Sequence, residues 1–183
     1  MEQNTQIQKE EVFSEQVAVR REKLAELQNQ GKNPYEITKF DFNAYSSEIK
    51  ENYQEGEERE VVIAGRIMSR RIMGKASFCN LADEKGNIQL YIKRDDVGEE
   101  DYASFKKWDI GDIIGVEGFV FVTRTGEVSV HCKKVTLLSK SLIPLPEKFH
   151  GLTNMDMRYR QRYVDLIVNP EVKEVFKKRS AIL

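Results

Sequence analysis

The hydrophobic spacing of this 183-residue chain changes near Val61, and that change limits the folds it can adopt. Before Val61 the apolar residues recur at helical spacing, whereas after it they alternate with polar ones, as in half-buried strands. The alternation predicts strands over residues 61–70, 76–82, 88–93, 113–123 and 127–138. The sequences EKGN and RTGE supply turns between the second and third strands and between the fourth and fifth.

One helix-compatible stretch, GEEDYASFKKW at residues 98–108, separates the third strand from the fourth. Five strands with a helix in that position follow the order of an OB-fold, a Greek-key barrel that binds oligonucleotides on an exposed strand face. The predicted fold is therefore mainly β, with an SH3-like barrel or a split sandwich as the competing architectures.

The barrel is expected to carry extensions at both ends. A helix is predicted over residues 8–30, ended by Gly31 and Pro34; its apolar stripe is Phe13, Val17, Leu24 and Leu27. Residues 35–60 read as a linker with one short helix. The predicted organisation is a helical extension and linker (1–60), an OB domain (61–140) and a linker with the start of a further domain (141–183).

Composition excludes several classes of protein. With 29 Lys and Arg against 30 Asp and Glu, the net charge of −1 gives no general attraction to nucleic acids or membranes, so a polyanion site must be local. No apolar run approaches the roughly 18 residues of a membrane span, and the first residues lack a signal-peptide pattern. We expect a cytoplasmic protein without a membrane partner.

Cys79 and Cys132 lack metal-binding spacing, so we expect buried, reduced thiols.

Alternation also predicts which side chains face away from the core, because residues two apart in a strand share a face. The inward sets are Ser77, Cys79 and Leu81; Ile88, Leu90 and Ile92; and Val128, Val130 and Cys132. The outward sets are Phe78 and Asn80; Gln89 and Tyr91; and Glu127, Ser129 and His131. Arg70, Arg71 and Lys75 lie at the rim of this surface.

Such a surface suits single-stranded nucleic acid. Aromatic rings stack on bases for roughly 1–3 kcal/mol each, polar side chains read base edges, and cations meet phosphates. Alternatives remain for individual residues. Phe78 could belong to the core, because Ser77 is a poor core marker, and Gln89 could simply be solvated.

The paired arginines leave a similar choice open. Arg70 and Arg71 could cover an apolar rim with their stems. Strict alternation from Ile63 and Ile67 turns Arg71 inward, so a bulge at Gly65 or the end of the strand is needed to free it. His131 has no nucleophile or carboxylate partner that the sequence can place, which disfavours a catalytic base.

Three segments resemble the N-terminal half of bacterial-type lysyl-tRNA synthetases, which are class II enzymes. They are RRIMGKASF, PLPEKFHGL and RYRQRYVDLI, and the resemblance extends from about Phe13 to the last residue. It implies that the barrel binds the anticodon loop of tRNA(Lys). It also implies that Phe78 stacks on the central base, that Arg71 and Gln89 hold its edge, and that Glu127 reads the first base.

Further candidate RNA contacts are Arg70, Lys75, His131, Arg20 and Arg21. Lys23 lies on the same helix as the last two, and a solvated helix face explains all three equally well. Aspartyl and asparaginyl enzymes share the barrel, so the lysyl assignment depends on KFHGL, RYRQRYVDLI and Glu127. The alternatives outside this family are a stand-alone single-strand binding protein and a dimerisation module.

The end of the chain is expected to begin the class II catalytic domain. Asn169 and Pro170 form a helix start, and Val172, Val175, Phe176 and Ile182 form a stripe that corresponds to the motif 1 dimer helix. The resemblance implies a homodimer, with ATP and Mg²⁺ bound by the full-length enzyme and no cofactor bound by this chain. No catalytic residue is assigned here, and the chain alone is expected to be inactive.

Overall fold

The computed structural model describes residues 2–54, 56, 59–146, 152 and 154–183. These residues fall into two compact units, one ending at Ile143 and the other running from Pro144 to Leu183. The strands of the first unit are β1 (Glu60–Met73), β2 (Ala76–Ala82), β3 (Asn87–Lys93), β4 (Ile113–Val122) and β5 (Val128–Ser139). The predicted strands are all present, with ends that differ by at most three residues.

The strands close a barrel in the order β1-β2-β3-β5-β4 within the described part of the chain. The β3–β5 pair is parallel, and the other neighbouring pairs are antiparallel. β1 is long enough to pair with β4 through its first half and with β2 through its second half. This closed five-stranded arrangement confirms the predicted OB-fold class and excludes a split sandwich.

The barrel core follows the predicted alternation closely. Ile88, Leu90 and Ile92 of β3 are buried, as are Cys79 and Leu81 of β2. The thiols of Cys79 and Cys132 are free and buried, as expected, and burial raises the pKa of Cys79 to about 12. At this pKa the thiol stays protonated and behaves as a small apolar side chain.

Two helices between β3 and β4 close one end of the barrel. They are α3 (Arg94–Val97) and α4 (Glu99–Lys107), separated by Gly98, whose φ of 93° is open to glycine but strained for other residues. α4 corresponds to the helix predicted at residues 98–108. Its Tyr102 and Phe105 are buried against the barrel interior.

The predicted N-terminal helix is present as α1 (Glu2–Asn29). Phe13 of the predicted stripe is exposed, whereas Arg20 and Lys23, which lie outside that stripe, contact the barrel unit. Arg20 donates a hydrogen bond to the carbonyl of Ser141 at 2.9 Å, and Lys23 pairs with Asp109 at 2.7 Å. Polar contacts as well as apolar packing therefore hold α1 against the barrel. Hydrophobic spacing in the sequence does not reveal these polar contacts.

A buried ion cluster lies beneath this contact. Lys140, whose side chain is 1% exposed, binds both Asp109 and the fully buried Asp112. Asp112 also accepts hydrogen bonds from the backbone N–H groups of Asp109 and Ser141, each at 2.8 Å. Burial acts to raise the pKa of Asp109, but the hydrogen bonds from Lys140 and Lys23 outweigh it, so this pKa lies below its ordinary value.

The segment predicted as a linker is packed on the barrel rather than extended. It contains a short 3₁₀ turn (Pro34–Glu36) and the predicted short helix, α2 (Ser46–Glu51). Ala44 and Ile49 are buried in the core, and the hydroxyl of Ser46 donates to Asp83 at 2.8 Å. α2 is thereby held beside the β2–β3 turn.

The second unit contains α5 (Met155–Arg160), α6 (Arg162–Val168) and α7 (Pro170–Ile182). The helix start predicted at Pro170 is confirmed, but the Asn169 side chain does not cap the helix. Its amide donates instead to the buried carboxylate of Asp165 at 2.6 Å, which also binds Arg158 and Arg162. Residues 147–151 and 153, which include most of the PLPEKFHGL segment, lie outside the described residues.

No helix among the described residues combines sufficient length with sufficient apolar character to cross a bilayer.

Replacing Asp112 by alanine is expected to destabilise the first unit strongly. The substitution removes a buried partner of Lys140 and leaves buried N–H groups unpaired, so we expect a loss of about 3–5 kcal/mol in the free energy of unfolding. Urea denaturation followed by circular dichroism measures this. The control is Glu117→Ala, which breaks the exposed pair with Lys134 and should cost less than about 1 kcal/mol. Equal losses in the two variants would contradict this account of the cluster.

Candidate nucleic-acid interface

A row of side chains runs across the outer surface of the barrel, one from each strand. Arg71 of β1 pairs with Phe78 of β2, which pairs with Tyr91 of β3. Tyr91 pairs in turn with His131 of β5, and His131 with Phe119 of β4. Because paired residues on neighbouring strands lie on the same face, the row brings a guanidinium and several rings onto one continuous surface.

A β-bulge turns Arg71 to this surface. The β1–β2 register shifts between Ile67 and Ser69, so the extra residue reverses the alternation beyond Ile67. Ile67 stays buried and Arg71 becomes exposed. Of the two predicted ways to free Arg71, the end of the strand is wrong, because β1 continues to Met73, and a bulge is present, but between Ile67 and Ser69 rather than at Gly65. Gly65 serves a close approach instead, because a Cβ there would lie 2.5 Å from the carbonyl oxygen of Ala82.

The outward orientation of Phe78 follows from a hydrogen bond on the opposite side of β2. Ser77 is fully buried, and its hydroxyl lies 2.8 Å from the hydroxyl of Tyr102 on α4. Tyr102 donates its own proton to the carbonyl of Gly74 at 2.9 Å, so Ser77 is the donor to Tyr102. A serine whose hydroxyl is hydrogen-bonded can lie stably in the core. The prediction that Phe78 faces away from the core is therefore confirmed.

The rings on the outer surface pack against one another and form what we call the aromatic face: Phe78, Tyr91, Phe119, Phe121 and His131. The Phe78 and Tyr91 centroids are 5.2 Å apart, and His131 stacks on Phe119 at 4.7 Å. Tilted and stacked ring contacts of this kind add to the stability of the surface. The face is therefore restrained before any ligand binds.

Phe119 and Phe121 were missing from the sequence-based site. Their signal was available, because both alternate with the buried Val120 in GFVFV and so share the outer face. His131 has a partner that sequence reasoning could not place, since its Nε2 lies 2.7 Å from the carboxylate of Asp96. Asp96 lies 35 positions away, in the helix that follows β3.

A second row lies beside the first and carries the amides. Asn80 of β2 pairs with Ser69 of β1 and with Gln89 of β3, and Gln89 pairs with Ser129 of β5. Ser129 is 0% exposed, so the expectation that it faces solvent is wrong, although it lies on the outer side. Its hydroxyl lies 3.1 Å from Oε1 of Gln89. The same hydroxyl lies 3.2 Å from the carbonyl oxygen of Glu127, so its one proton is shared between two acceptors. With Oε1 turned to Ser129, the NH₂ group of Gln89 is the end available to a ligand.

Glu127 lies in the turn before β5 rather than in the strand. Thr123 anchors this turn, because its hydroxyl accepts from the N–H of Glu127 at 3.1 Å. The Glu127 side chain is 49% exposed, and Lys50 of α2 lies 3.7 Å from its carboxylate. Lys50 could not be assigned to this site from the sequence, since its proximity to Glu127 depends on how α2 docks on the barrel.

The remaining candidates divide into anchored and accessible side chains. Arg70 donates to the carbonyl of Phe105 at 2.8 Å at the end of α4, and Arg20 is held by Ser141. Arg21 and Lys75 are exposed. Arg71, Arg21 and Lys75 form no ion pair or side-chain hydrogen bond with any other residue that the structure describes. The accessible cations are thus Arg71 and Lys75 beside Phe78, and Arg21 on α1.

Comparison with known proteins agrees with this geometry. Residues 61–138 match the model of the tRNA anticodon family, described as an OB-fold nucleic acid binding domain. The chain is 50% identical over 182 residues to the lysine–tRNA ligase of Clostridium tetani, covering 100% of this chain and 36% of that protein. It is 57% identical over 175 residues to the lysine–tRNA ligase of Pelotomaculum thermopropionicum, covering 96% of this chain and 34% of that protein.

A third relative, the lysine–tRNA ligase of Syntrophomonas wolfei, is 56% identical over 171 residues, or 93% of this chain and 34% of the relative. The chain therefore spans about a third of the length of the curated relatives that it matches. The match extends well beyond the barrel at both ends. The chain thus matches the N-terminal part of lysine–tRNA ligases and carries an OB-fold nucleic acid binding domain of the tRNA anticodon family.

Proposed function

We propose that the outer surface of the barrel binds the anticodon loop of tRNA(Lys) for a lysine–tRNA ligase. The observation that carries the proposal is the register row, which places Arg71 directly beside Phe78 and leads into the aromatic face. Aromatic rings beside accessible cations bind unpaired bases and their phosphates without requiring a double helix. An anticodon loop presents such bases.

The central base of a UUU anticodon fits the groups around Phe78. Phe78 stacks on the base, and Gln89 lies diagonally across β2 and β3 with its NH₂ group available. This NH₂ group and the Arg71 guanidinium are donors, and uracil offers carbonyl acceptors. Cytosine replaces the O4 acceptor with an amino donor, so it meets Gln89 unfavourably. The site therefore favours uridine at the central position.

Glu127 supplies an acceptor for the first anticodon base. A carboxylate oxygen accepts the N3–H of uridine, whereas cytosine presents an unprotonated N3 at the same place. Lys50 partly offsets the negative charge of Glu127, which otherwise repels the phosphates of the loop. α2 thereby supports the recognition of the first base.

The activity of the longer protein is part of the same proposal. We propose that it activates lysine with ATP and Mg²⁺, transfers lysine to tRNA(Lys), acts as a homodimer, and is cytoplasmic. The described residues contain no group of three or more His, Cys, Asp or Glu side chains that could hold a metal ion. Within that activity, the role proposed for this chain is tRNA binding.

A stand-alone single-strand binding protein is the second candidate, and the comparisons weigh against it. The similarity to lysine–tRNA ligases covers residues on both sides of the barrel, which a free OB module does not need. The relatives reported above are lysine rather than aspartate or asparagine enzymes. The lysyl assignment is therefore favoured over the related synthetases.

The chain is expected to prefer a hairpin with a UUU anticodon loop over one with UCU by about 10-fold in Kd, because cytosine mismatches the donors beside Phe78. Fluorescence anisotropy at a fixed salt concentration measures both affinities. Phe78→Ala should weaken binding of the UUU hairpin about 5-fold or more through lost stacking. Equal binding of both hairpins, with no effect of Phe78→Ala, would contradict the proposal.

The neighbouring arginines should respond to substitution in opposite ways. Arg71→Ala should weaken hairpin binding about 5-fold and make it less salt-dependent, because one phosphate-contacting cation is lost. Its free energy of unfolding should change by less than about 0.5 kcal/mol.

Arg70→Ala is the matched control. It removes a charged hydrogen bond to Phe105 and should lower the free energy of unfolding by about 1–2 kcal/mol. Its affinity for the hairpin should stay within about 2-fold of the wild type. Interchanged effects, with Arg70→Ala weakening RNA binding and Arg71→Ala destabilising the fold, would show that the assignment of the two side chains is wrong.

A further inference from the structure

Asn80 is an unusual residue at the centre of the outer surface. Its Oδ1 atom is buried and has no hydrogen-bond partner among the residues that the structure describes. The carbonyl oxygen of the neighbouring Gln89 amide, in contrast, lies 3.1 Å from the hydroxyl of Ser129. Asn80 lies between Ser69 and Gln89 in the second row, two residues along β2 from Phe78.

This placement costs stability in the free protein. A buried carbonyl oxygen without a donor loses its hydration and gains nothing in return. Asparagine is also disfavoured within strands, where an aliphatic or β-branched side chain packs better. Residues that oppose the stability of the fold in this way are concentrated at functional sites. The position of Asn80 beside Phe78 indicates what that function is.

We propose that Asn80 is a base-reading residue, whose carbonyl oxygen accepts a hydrogen bond from the base stacked on Phe78. This inference rests on the function proposed above and deepens it. Asn80 and Gln89 are directly opposite each other on β2 and β3, so their amides lie side by side. Gln89 offers a donor, and Asn80 offers an acceptor that no protein group occupies.

With the Gln89 NH₂ group opposite O4 of uracil, the Asn80 acceptor lies opposite N3–H, whereas cytosine in the same position presents its amino group to Gln89 and its N3 lone pair to Asn80. The N3–H group of uracil is a donor and lies between two carbonyl acceptors, whereas N3 of cytosine is an acceptor. Oδ1 is covered in the free protein, so the amide must turn about its terminal torsion when the base arrives. That torsion is broad in asparagine and opposes the turn only weakly. The N3–H group of the bound base then supplies the hydrogen-bond donor that Oδ1 of Asn80 lacks in the free protein.

The test uses Asn80→Leu, which keeps a side chain of similar size without polar atoms. Because the unsatisfied oxygen is gone, we expect its Tm to rise by about 2–4 °C. Its affinity for the UUU hairpin should fall about 5-fold, and its preference for UUU over UCU should fall from about 10-fold to about 2-fold. A purely structural asparagine would not give higher stability together with poorer discrimination.

A second variant and a neighbouring control keep the test decisive. Asn80→Ala should lose the same discrimination even if leucine packs poorly in the strand. Ser69→Ala, in the same row, should keep the wild-type preference. Unchanged discrimination in both Asn80 variants, with Phe78→Ala still weakened, would overturn the role of Asn80 alone. If the Asn80 variants lost their preference for UUU over UCU only in proportion to a fall in Tm, this would also overturn the role of Asn80. A wild-type chain without any preference would instead refute the proposed function.

Discussion

The β-bulge between Ile67 and Ser69 is the feature on which the outer surface depends. β1 must place Ile63 in the core where it pairs with β4 and Ile67 in the core where its pairing with β2 begins. It must then present Arg71 beside Phe78 of β2. Strict alternation allows only one of these arrangements, because residues at even spacing share a face. The extra residue permits both, so one strand contributes to the core and to the binding surface.

The interior of the barrel fixes the surface from the other side. Ser77 is held by Tyr102 of α4, and this hydrogen bond sets β2 with Phe78 outward. Arg70 is held at the end of the same helix, which leaves its neighbour Arg71 accessible. The outer rings then pack against one another, from Phe78 to Phe119. Restraining these side chains in advance reduces the entropy lost when RNA binds.

Sequence reasoning succeeded where the determining interactions are local. Alternation within β2, β3 and β5 placed Phe78, Gln89 and His131 on the outer side, because a period of two needs only the neighbouring residues. It failed where the cause is distant. The bulge depends on the pairing of β1 with two other strands. The role of Arg70 depends on a carbonyl 35 residues away. The burial of Ser129 depends on Gln89, which lies on a strand that is not the sequence neighbour of β5. The outer position of Phe119 and Phe121 is also a local matter, because both flank the buried Val120 in β4.

The most direct test of the central claim is to locate the central anticodon base on the protein. A UUU hairpin with 4-thiouridine at that position can be bound to the chain, irradiated, and its cross-linked peptides identified by mass spectrometry. The account predicts cross-links within β2 and β3, near Phe78 and Tyr91, that are lost with unlabelled competitor. Cross-links confined to α1 or to the helices after Pro144 would show that the barrel surface is not where the anticodon binds.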